Sequence, residues 1–157
     1  MLHQLDQSKK IIMEHYDRES NIYDATRFVE NAWYRRINEE AFNILRKYLK
    51  GKTVLELGCG TGWFIIFCAK KGFHCTAIDI SPQMIERAKK NISRSGVDPR
   101  LIRLIQGDVE DPSLYEEESY DDVICIKSFA FFPNPVKVVR NVYLFEYFMC
   151  LCCMFVY

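Results

Sequence analysis

The residues best placed to do chemistry are a glycine-rich turn and an acidic side chain that follows it. Glu56-Leu-Gly58-Cys-Gly60-Thr-Gly62 comes after a short apolar segment and before a helical pattern. Its glycines permit a tight turn and allow a ligand to approach the backbone closely. Asp79 ends a second apolar segment 21 residues after Gly58. There its carboxylate can accept hydrogen bonds from both hydroxyl groups of a ribose, so Asp79 is predicted to be a ribose ligand.

The spacing of the glycines distinguishes between cofactors. A dinucleotide-binding turn of the form G-x-G-x-x-G that began at Gly58 would need glycine at position 63. Trp63 stands there, and its side chain is too large for close approach to a pyrophosphate. The turn has the form E-x-G-x-G-x-G instead. An NAD-dependent oxidoreductase is therefore only the third choice of function.

The segment from Val54 to Gly62 closely resembles the first motif of the class I S-adenosylmethionine-dependent methyltransferases. The resemblance extends from about Tyr16 to about Val142. It implies a Rossmann-like fold, S-adenosylmethionine as the cofactor, and transfer of its methyl group to a small-molecule acceptor. The alternative is a remnant that binds the cofactor without turnover, or a partner-binding subunit.

The resemblance also assigns contacts to individual residues. Glu56 resembles the acidic residue that helps hold the cofactor's amino group, and the turn backbone would cradle the aminocarboxypropyl part. Ile80 resembles the apolar residue on the adenine face, and Gly107-Asp108-Val109 matches the adenine motif. The predicted cofactor-binding residues are Glu56, Gly58, Cys59, Gly60, Asp79, Ile80, Met84, Asp108, Val109 and Ile126.

Two tyrosines precede the glycine turn in paired Tyr-Asp steps. These steps, at Tyr16 and Tyr23, resemble small-molecule methyltransferases of the ubiquinone and menaquinone C-methyltransferase type. In those proteins the N-terminal helices close over the cofactor. Tyr16 and Tyr23 are therefore candidate lid residues, and the alternative is that they pack at helix boundaries.

The loop that begins at Ile126 and Lys127 flanks the sulfonium and the methyl acceptor in the resembling family. Lys127 is predicted either to face solvent or to bind an anionic acceptor. Methyl transfer from a sulfonium depends mainly on positioning, so no catalytic residue is predicted. The spacing of His3, His15 and His74 selects none of them as a base.

An alternation of strands and helices must position these residues. Hydrophobic patterns predict a short N-terminal helix at 9–16, a polar break at 17–21, and then either one long helix or a broken pair of helices at 24–50. Strands are predicted at 53–57, 73–80, 101–105 and 122–126, and helices at 63–71 and 82–95, with Ser81 as a helix cap. This order predicts a doubly wound parallel α/β sheet, which binds ligands at the carboxyl ends of its strands.

The resemblance stops before the end of the chain. The basic-Pro-Gly-Gly turn that introduces the family's fifth strand is absent, and 136–157 contains neither glycine nor proline. A domain truncated after the fourth strand, without strands 5–7, is therefore predicted. The predicted divisions are an N-terminal helical lid at 1–50, a cofactor-binding core at 51–142 and an atypical hydrophobic tail at 143–157. The tail is a candidate for partner binding or self-association.

The amino-acid composition limits the partners and the cellular location that can be expected. Basic and acidic residues balance at 21 each, so no nucleic-acid partner is expected. The apolar C-terminal stretch is shorter than the roughly 20 residues of a membrane-spanning helix. Seven cysteines, four of them in apolar contexts, favour a reducing, cytoplasmic location without a metal site. Eight acidic side chains lie between residues 104 and 126: Asp108, Glu110, Asp111, Glu116, Glu117, Glu118, Asp121 and Asp122. They predict a solvated acidic loop, from which only Asp108 is excepted.

Overall fold

The computed structural model describes residues 6–114, 120–142 and 147–150. Helix α1 (Gln7–Asp24) leads through a π-helical segment (Ala25–Glu30) to helix α2 (Ala32–Tyr48). The predicted break at 17–21 is wrong. Its polar side chains bond elsewhere instead of ending the helix, and Asp17 accepts a hydrogen bond from the Ser81 hydroxyl. The chain turns at Asn31, whose side chain caps α2.

Within the described residues the sheet has five parallel strands in the order β3-β2-β1-β4-β5. Their bounds are β1 (Thr53–Leu57), β2 (His74–Asp79), β3 (Ile102–Gln106), β4 (Asp122–Cys125) and β5 (Tyr147–Cys150). Both β1 and β4 are almost wholly buried, as expected for parallel strands covered on both faces. The predicted Rossmann-like sheet is confirmed.

Three helices connect the strands: α3 (Trp63–Lys70), α4 (Pro82–Ser95) and α5 (Pro135–Val142). Helix α4 has the predicted cap, because the Ser81 hydroxyl accepts from the Met84 N–H at 3.0 Å. Gly96 ends α4 in the left-handed conformation. No helix in the described ranges has the length and apolar character needed to cross a membrane.

The fifth strand corrects the prediction that the sheet ends at β4. Four tail residues, Tyr147–Cys150, pair in parallel with Asp122–Cys125. The pairing satisfies backbone N–H and C=O groups that would otherwise lie along the edge of β4. Two of the four residues, Tyr147 and Phe148, are aromatic, a residue class that favours strands. The other tail residues, 143–146 and 151–157, lie outside the described residues. Among the described residues the sheet has no sixth or seventh strand.

The core contains the four cysteines that were predicted to be buried. Cys59, Cys68, Cys75 and Cys125 form no disulfide among the described residues and are at most 6% exposed. Burial raises the pKa of the thiols of Cys59, Cys68 and Cys75. These three side chains therefore act as small apolar groups rather than nucleophiles.

The predicted solvated acidic loop is wrong at Glu110 and Asp122, which are buried, whereas Asp121 is exposed. Asp121 accepts hydrogen bonds from the backbone N–H groups of Lys52 and Thr53 at 2.6 and 2.9 Å. Asp122 is buried and accepts from Gly51 at 3.1 Å. The two carboxylates thereby fix the beginning of β1 beside β4. Glu110 is buried at the ligand cleft described below, and Glu116 to Glu118 lie outside the described residues.

Candidate functional site

The carboxyl ends of β1 to β4 open into one cleft beneath helix α1. It encloses about 700 Å³, part of which is open to solvent. Eight of the ten predicted cofactor-binding residues line it, together with both predicted lid residues: Gly58, Gly60, Asp79, Ile80, Met84, Asp108, Val109, Ile126, Tyr16 and Tyr23. The structure thus brings together residues from the ends of four parallel strands and from α1, at the edge where such sheets bind ligands.

The two glycines in the turn after β1 serve different purposes. Both have positive φ, 72° at Gly58 and 52° at Gly60. A Cβ on Gly58 would lie 2.5 Å from the Cβ of Ser128, so this glycine lets the loop after β4 approach. A Cβ on Gly60 would meet nothing nearer than the Tyr23 ring, at 4.0 Å. The backbone of Gly60 is therefore open to a ligand in the cleft.

Asp79 ties the glycine turn to the end of β2. One carboxylate oxygen accepts from the Gly60 N–H at 2.7 Å, and the other accepts from the Ser81 N–H at 2.9 Å. Burial raises the pKa of Asp79 to about 6, although these two hydrogen bonds oppose the shift. Each oxygen has a second lone pair, so the carboxylate can still accept from a ligand's hydroxyl groups.

Asp108 has a partner that sequence patterns did not reveal. The ammonium group of Lys9, in α1, lies 2.7 Å from both Asp108 and Glu110. Burial acts to lower the pKa of Lys9, but the hydrogen bonds to the two carboxylates outweigh it and the pKa is raised. Lys9 also lines the cleft. The sequence did contain one indication of this role for Lys9. Residues 9, 16 and 23 are seven positions apart, which places Lys9, Tyr16 and Tyr23 on one face of α1.

Aromatic side chains cover the cleft on the side of α1. The ring of Tyr16 packs edge-on against Tyr23 at 6.4 Å and against Phe131 at 5.7 Å between ring centroids. Burial raises the pKa of both tyrosines, so their hydroxyl groups stay protonated. Phe131 and Phe132, from the loop after β4, also line the cleft and were not predicted.

Glu56 and Cys59 lie beside the cleft rather than in it. They line a smaller cavity that shares Gly58 and Gly60 with the main cleft. Glu56 is 1% exposed, and its Oε2 atom has no hydrogen-bond partner among the described residues. Burial and the nearby Asp79 raise the pKa of Glu56. A buried carboxylate with a free acceptor is suited to a cationic or hydrogen-bond-donating group.

The expectation of a solvent-facing Lys127 is wrong. Its side chain is partly buried, and its Nζ donates to Asn38 Oδ1 at 2.6 Å. The same nitrogen lies 5.2 Å from the centroid of the Phe28 ring and 5.5 Å from that of Phe64. Burial lowers the pKa of Lys127 to about 8, and Arg27 contributes to the shift. The ammonium group thus faces the interior, where it borders both cavities.

The aromatic residue that disfavoured a dinucleotide turn has a structural role. Trp63 begins α3, and its Nε1 donates to Asp24 Oδ1 at 2.9 Å. Its ring stacks on Phe28 at 5.4 Å. The side chain therefore connects the beginning of α3 to the N-terminal segment that contains Asp24 and Phe28.

Residues 54–144 match the family model described as a methyltransferase domain. The match covers more than half of the chain. This chain belongs to the methyltransferase domain family. The predicted resemblance to class I S-adenosylmethionine-dependent methyltransferases is thereby confirmed.

Curated relatives agree with this membership. The chain is 29% identical, over 140 residues, to the malonyl-acyl-carrier-protein O-methyltransferase of Halalkalibacterium halodurans, with 85% of this chain and 49% of that protein covered. It is 33% identical, over 95 residues, to the ubiquinone biosynthesis O-methyltransferase of Xanthomonas euvesicatoria, with 60% and 38% covered. The chain spans about half or less of the length of these methyltransferases. Both are named as O-methyltransferases, so the C-methyltransferase type stays a prediction.

A solved methyltransferase shares the fold. The magnesium protoporphyrin IX methyltransferase of Synechocystis, crystallised with bound S-adenosylmethionine, superposes with a TM-score of 0.72. It is 19% identical, and the alignment covers 93% of this chain and 75% of that one. The Rossmann-like methyltransferase fold is therefore present despite the low sequence identity.

Proposed function

We propose that this chain binds S-adenosylmethionine in the cleft and transfers its methyl group to a small-molecule acceptor. The observation that carries the proposal is the convergence of the glycine turn, Asp79 and Asp108 on one cleft. Its volume of about 700 Å³ falls in the range of cofactor sites. Family membership supports the same donor and reaction.

The residues around the glycine turn fit the methionine part of the cofactor. The open position above Gly60 leaves room for a chain to cross the backbone. Glu56 lies next to this position, with a buried oxygen that lacks a partner. A cationic amino group would supply that missing partner, directly or through a water molecule.

The other half of the cleft fits adenosine. Asp79 would accept from the ribose hydroxyl groups, and Ile80 and Met84 offer apolar contact to the adenine. Asp108 would accept from the adenine amino group, and the backbone N–H of Val109 would donate to the ring. Lys9 holds the Asp108 carboxylate in place without using all of its lone pairs.

The chain's own part in the reaction is to position the reactants and exclude water. When bound, S-adenosylmethionine supplies a methyl group on a positively charged sulfur, which a nucleophilic acceptor atom takes in a displacement that leaves a thioether. Tyr16 and Tyr23 cover the cleft from above, and Phe131 closes the side formed by the loop after β4. Such a covered, largely apolar site favours a small acceptor.

The predicted divisions and surroundings belong to the same proposal. Residues 1–50 act as the lid, 51–142 as the cofactor-binding core, and 143–157 as an atypical tail. Association through the tail is supported by the place of Tyr147–Cys150 at the edge of the sheet. Four buried cysteines outside any disulfide support a reducing cytoplasmic location.

Gly60→Ala should weaken S-adenosylmethionine binding by at least about tenfold, which corresponds to ~1.4 kcal/mol. The added methyl group would enter the space over the turn where the ligand must approach. Isothermal titration calorimetry measures the change. Gly96→Ala is a matched control, because Gly96 also has a positive φ (73°) and open space around it but ends α4 away from the cleft.

Both glycine variants should lose a similar ~1 kcal/mol of folding stability from the left-handed backbone. Only Gly60→Ala should lose affinity. Equal affinities in the two variants would remove the turn from the binding site. Failure of the folded wild-type protein to bind S-adenosylmethionine would overturn the proposed function, and binding without methyl transfer to any tested acceptor would restrict it to cofactor binding.

Cofactor affinity should fall as the pH drops through about 6. Asp79 has a pKa of about 6 because it is buried, and its protonation removes acceptor capacity that ribose hydroxyl groups need. Titrations from about pH 5 to about pH 8 would show weakening of up to about tenfold per pH unit on the acid side. Asp79→Asn should remove this step.

Folding stability depends on Asp79 with the opposite sign. Its folded pKa is above the ordinary value of 3.8, so its contribution favours the folded state at low pH and is lost as the pH rises through about 6. Protonation of Asp79 therefore does not unfold the protein. Thermal unfolding at each pH is the control, and an affinity independent of pH across this range would contradict the assignment.

A further inference from the structure

We infer that Lys127 forms a carboxylate-binding subsite at the glycine-turn end of the cleft. The inference rests on the proposed function and extends it to a residue that the cofactor motifs do not include. In this subsite the Lys127 ammonium group binds a carboxylate of a bound molecule.

The surroundings of Lys127 hold its ammonium group in place. Asn38 accepts one hydrogen bond from Nζ at 2.6 Å. Three ring centroids lie near the same nitrogen, those of Phe28 at 5.2 Å, Phe64 at 5.5 Å and Tyr34 at 5.8 Å. A lysine ammonium has three N–H donors. Asn38 satisfies one of them, and the aromatic rings stabilise positive charge without accepting a conventional hydrogen bond.

The positive charge of Lys127 has no ion-pair partner among the described residues. Glu56 is the nearby acid, but it is too far away for an ion pair, and Arg27 adds a second positive charge. The acidic residue Glu19 pairs with Arg27 and not with Lys127. A partly buried cation without a counter-ion is costly. An anionic ligand would offset that cost.

The position of Lys127 places such an anion beside the cofactor. Lys127 borders both the main cleft and the smaller cavity that Glu56 lines, and the two spaces share Gly58, Gly60 and Ile126. Its φ of 61° is the one positive value at a non-glycine residue within the described chain. A lysine in this conformation is strained. The structure therefore maintains an unfavourable backbone geometry that directs this side chain inward.

A carboxylate at this place has two sources. One is the amino acid part of S-adenosylmethionine, which carries a carboxylate next to its amino group. The other is a carboxylate on the methyl acceptor. The chemistry of recognition is the same, so ligands that lack the carboxylate distinguish the two sources.

The test compares wild-type protein with Lys127→Met and Lys127→Arg by isothermal titration calorimetry. The probes are S-adenosylhomocysteine, its decarboxylated analogue, and 5′-methylthioadenosine, which lacks the whole amino acid part. Malonate is then titrated into the complex with S-adenosylhomocysteine. Methionine has a similar length and packs well against aromatic rings, so Lys127→Met should fold, with a somewhat lower unfolding temperature because the buried Asn38 Oδ1 loses its donor. Lys89→Met, on the exposed face of α4, is the control for loss of a lysine.

If the cofactor supplies the carboxylate, the wild-type protein binds S-adenosylhomocysteine about tenfold or more tightly than the decarboxylated analogue. Lys127→Met loses this preference, while Lys127→Arg and Lys89→Met retain it. If the acceptor supplies the carboxylate, malonate binds the wild-type complex and not the Lys127→Met complex, and the cofactor analogues bind equally. Either result supports the subsite.

Unchanged binding of every probe in Lys127→Met would overturn the inference while leaving the proposed function intact. Failure of the wild-type protein to bind both S-adenosylhomocysteine and 5′-methylthioadenosine would instead overturn the proposed function. The two failures are therefore distinguishable.

Discussion

Asp79→Ala should abolish measurable S-adenosylmethionine binding, with an affinity loss of about a hundredfold or more. The substitution removes the predicted acceptor of the ribose hydroxyl groups. It also releases the N–H groups of Gly60 and Ser81, which the carboxylate holds at 2.7 and 2.9 Å. Both the ligand contact and the shape of the turn are therefore lost. Isothermal titration calorimetry with the folded variant measures the effect.

Two further variants separate these contributions. Asp79→Asn keeps a side-chain oxygen for one backbone N–H group but cannot accept from both hydroxyl groups, so it should bind weakly rather than not at all. Asp98→Ala removes an exposed carboxylate that pairs with Arg100 and should bind normally. Retention of wild-type affinity by Asp79→Ala would show that the end of β2 does not contact the cofactor.

Asp24→Ala should lower the free energy of unfolding by about 3 kcal/mol. Asp24 is 8% exposed and accepts hydrogen bonds from three side chains on two other helices, α3 and α4. The donors are Trp63 at 2.9 Å, Arg87 at 3.2 Å and Asn91 at 2.9 Å. Loss of this carboxylate leaves these donors without their partner and loosens α1 from α3 and α4. Urea unfolding followed by circular dichroism measures the change.

The matched control is again Asp98→Ala. Its ion pair with Arg100 joins residues two positions apart at the surface, where such pairs contribute little to stability. It should leave the free energy of unfolding nearly unchanged. An equal loss in the two variants would contradict the role of Asp24 as the connection between the N-terminal helices and the core.

Local chemistry explains why much of the core was predictable. The turn at Gly58 and Gly60 depends on a left-handed backbone that glycine adopts readily, and Ser81 with Pro82 forms a helix cap within four residues. Parallel strand order then places Asp79 and Asp108 at the same edge of the sheet. These inferences need only sequence neighbours and one topological rule.

Contacts between segments that are distant in the sequence explain why other parts of the site could not be predicted. Lys9 reaches Asp108 across 99 positions and Glu110 across 101, and no sequence spacing encodes such a pairing. The acidic run was therefore predicted to be solvated, although Glu110 is buried. Lys127 was ambiguous for a similar reason, because its environment is built from residues 28, 34, 38 and 64.

The fifth strand shows a different limit. The tail lacks the turn by which the resembling family introduces this strand, and its apolar run has no period that separates strand from helix. The decisive factor was the unpaired edge of β4. An edge of this kind is a property of the assembled sheet and is not visible in the tail itself.

The arrangement of α1 also bears on how quickly molecules exchange with solvent. Lys9, Tyr16 and Tyr23 line the cleft from a single helix, so a movement of α1 would displace all three together. We expect a bound molecule to enter and leave by such a movement, with the π-helical segment at 25–30 as the candidate hinge. Residence time in the cleft then depends on the ion pairs of Lys9 as well as on contacts with the bound molecule itself.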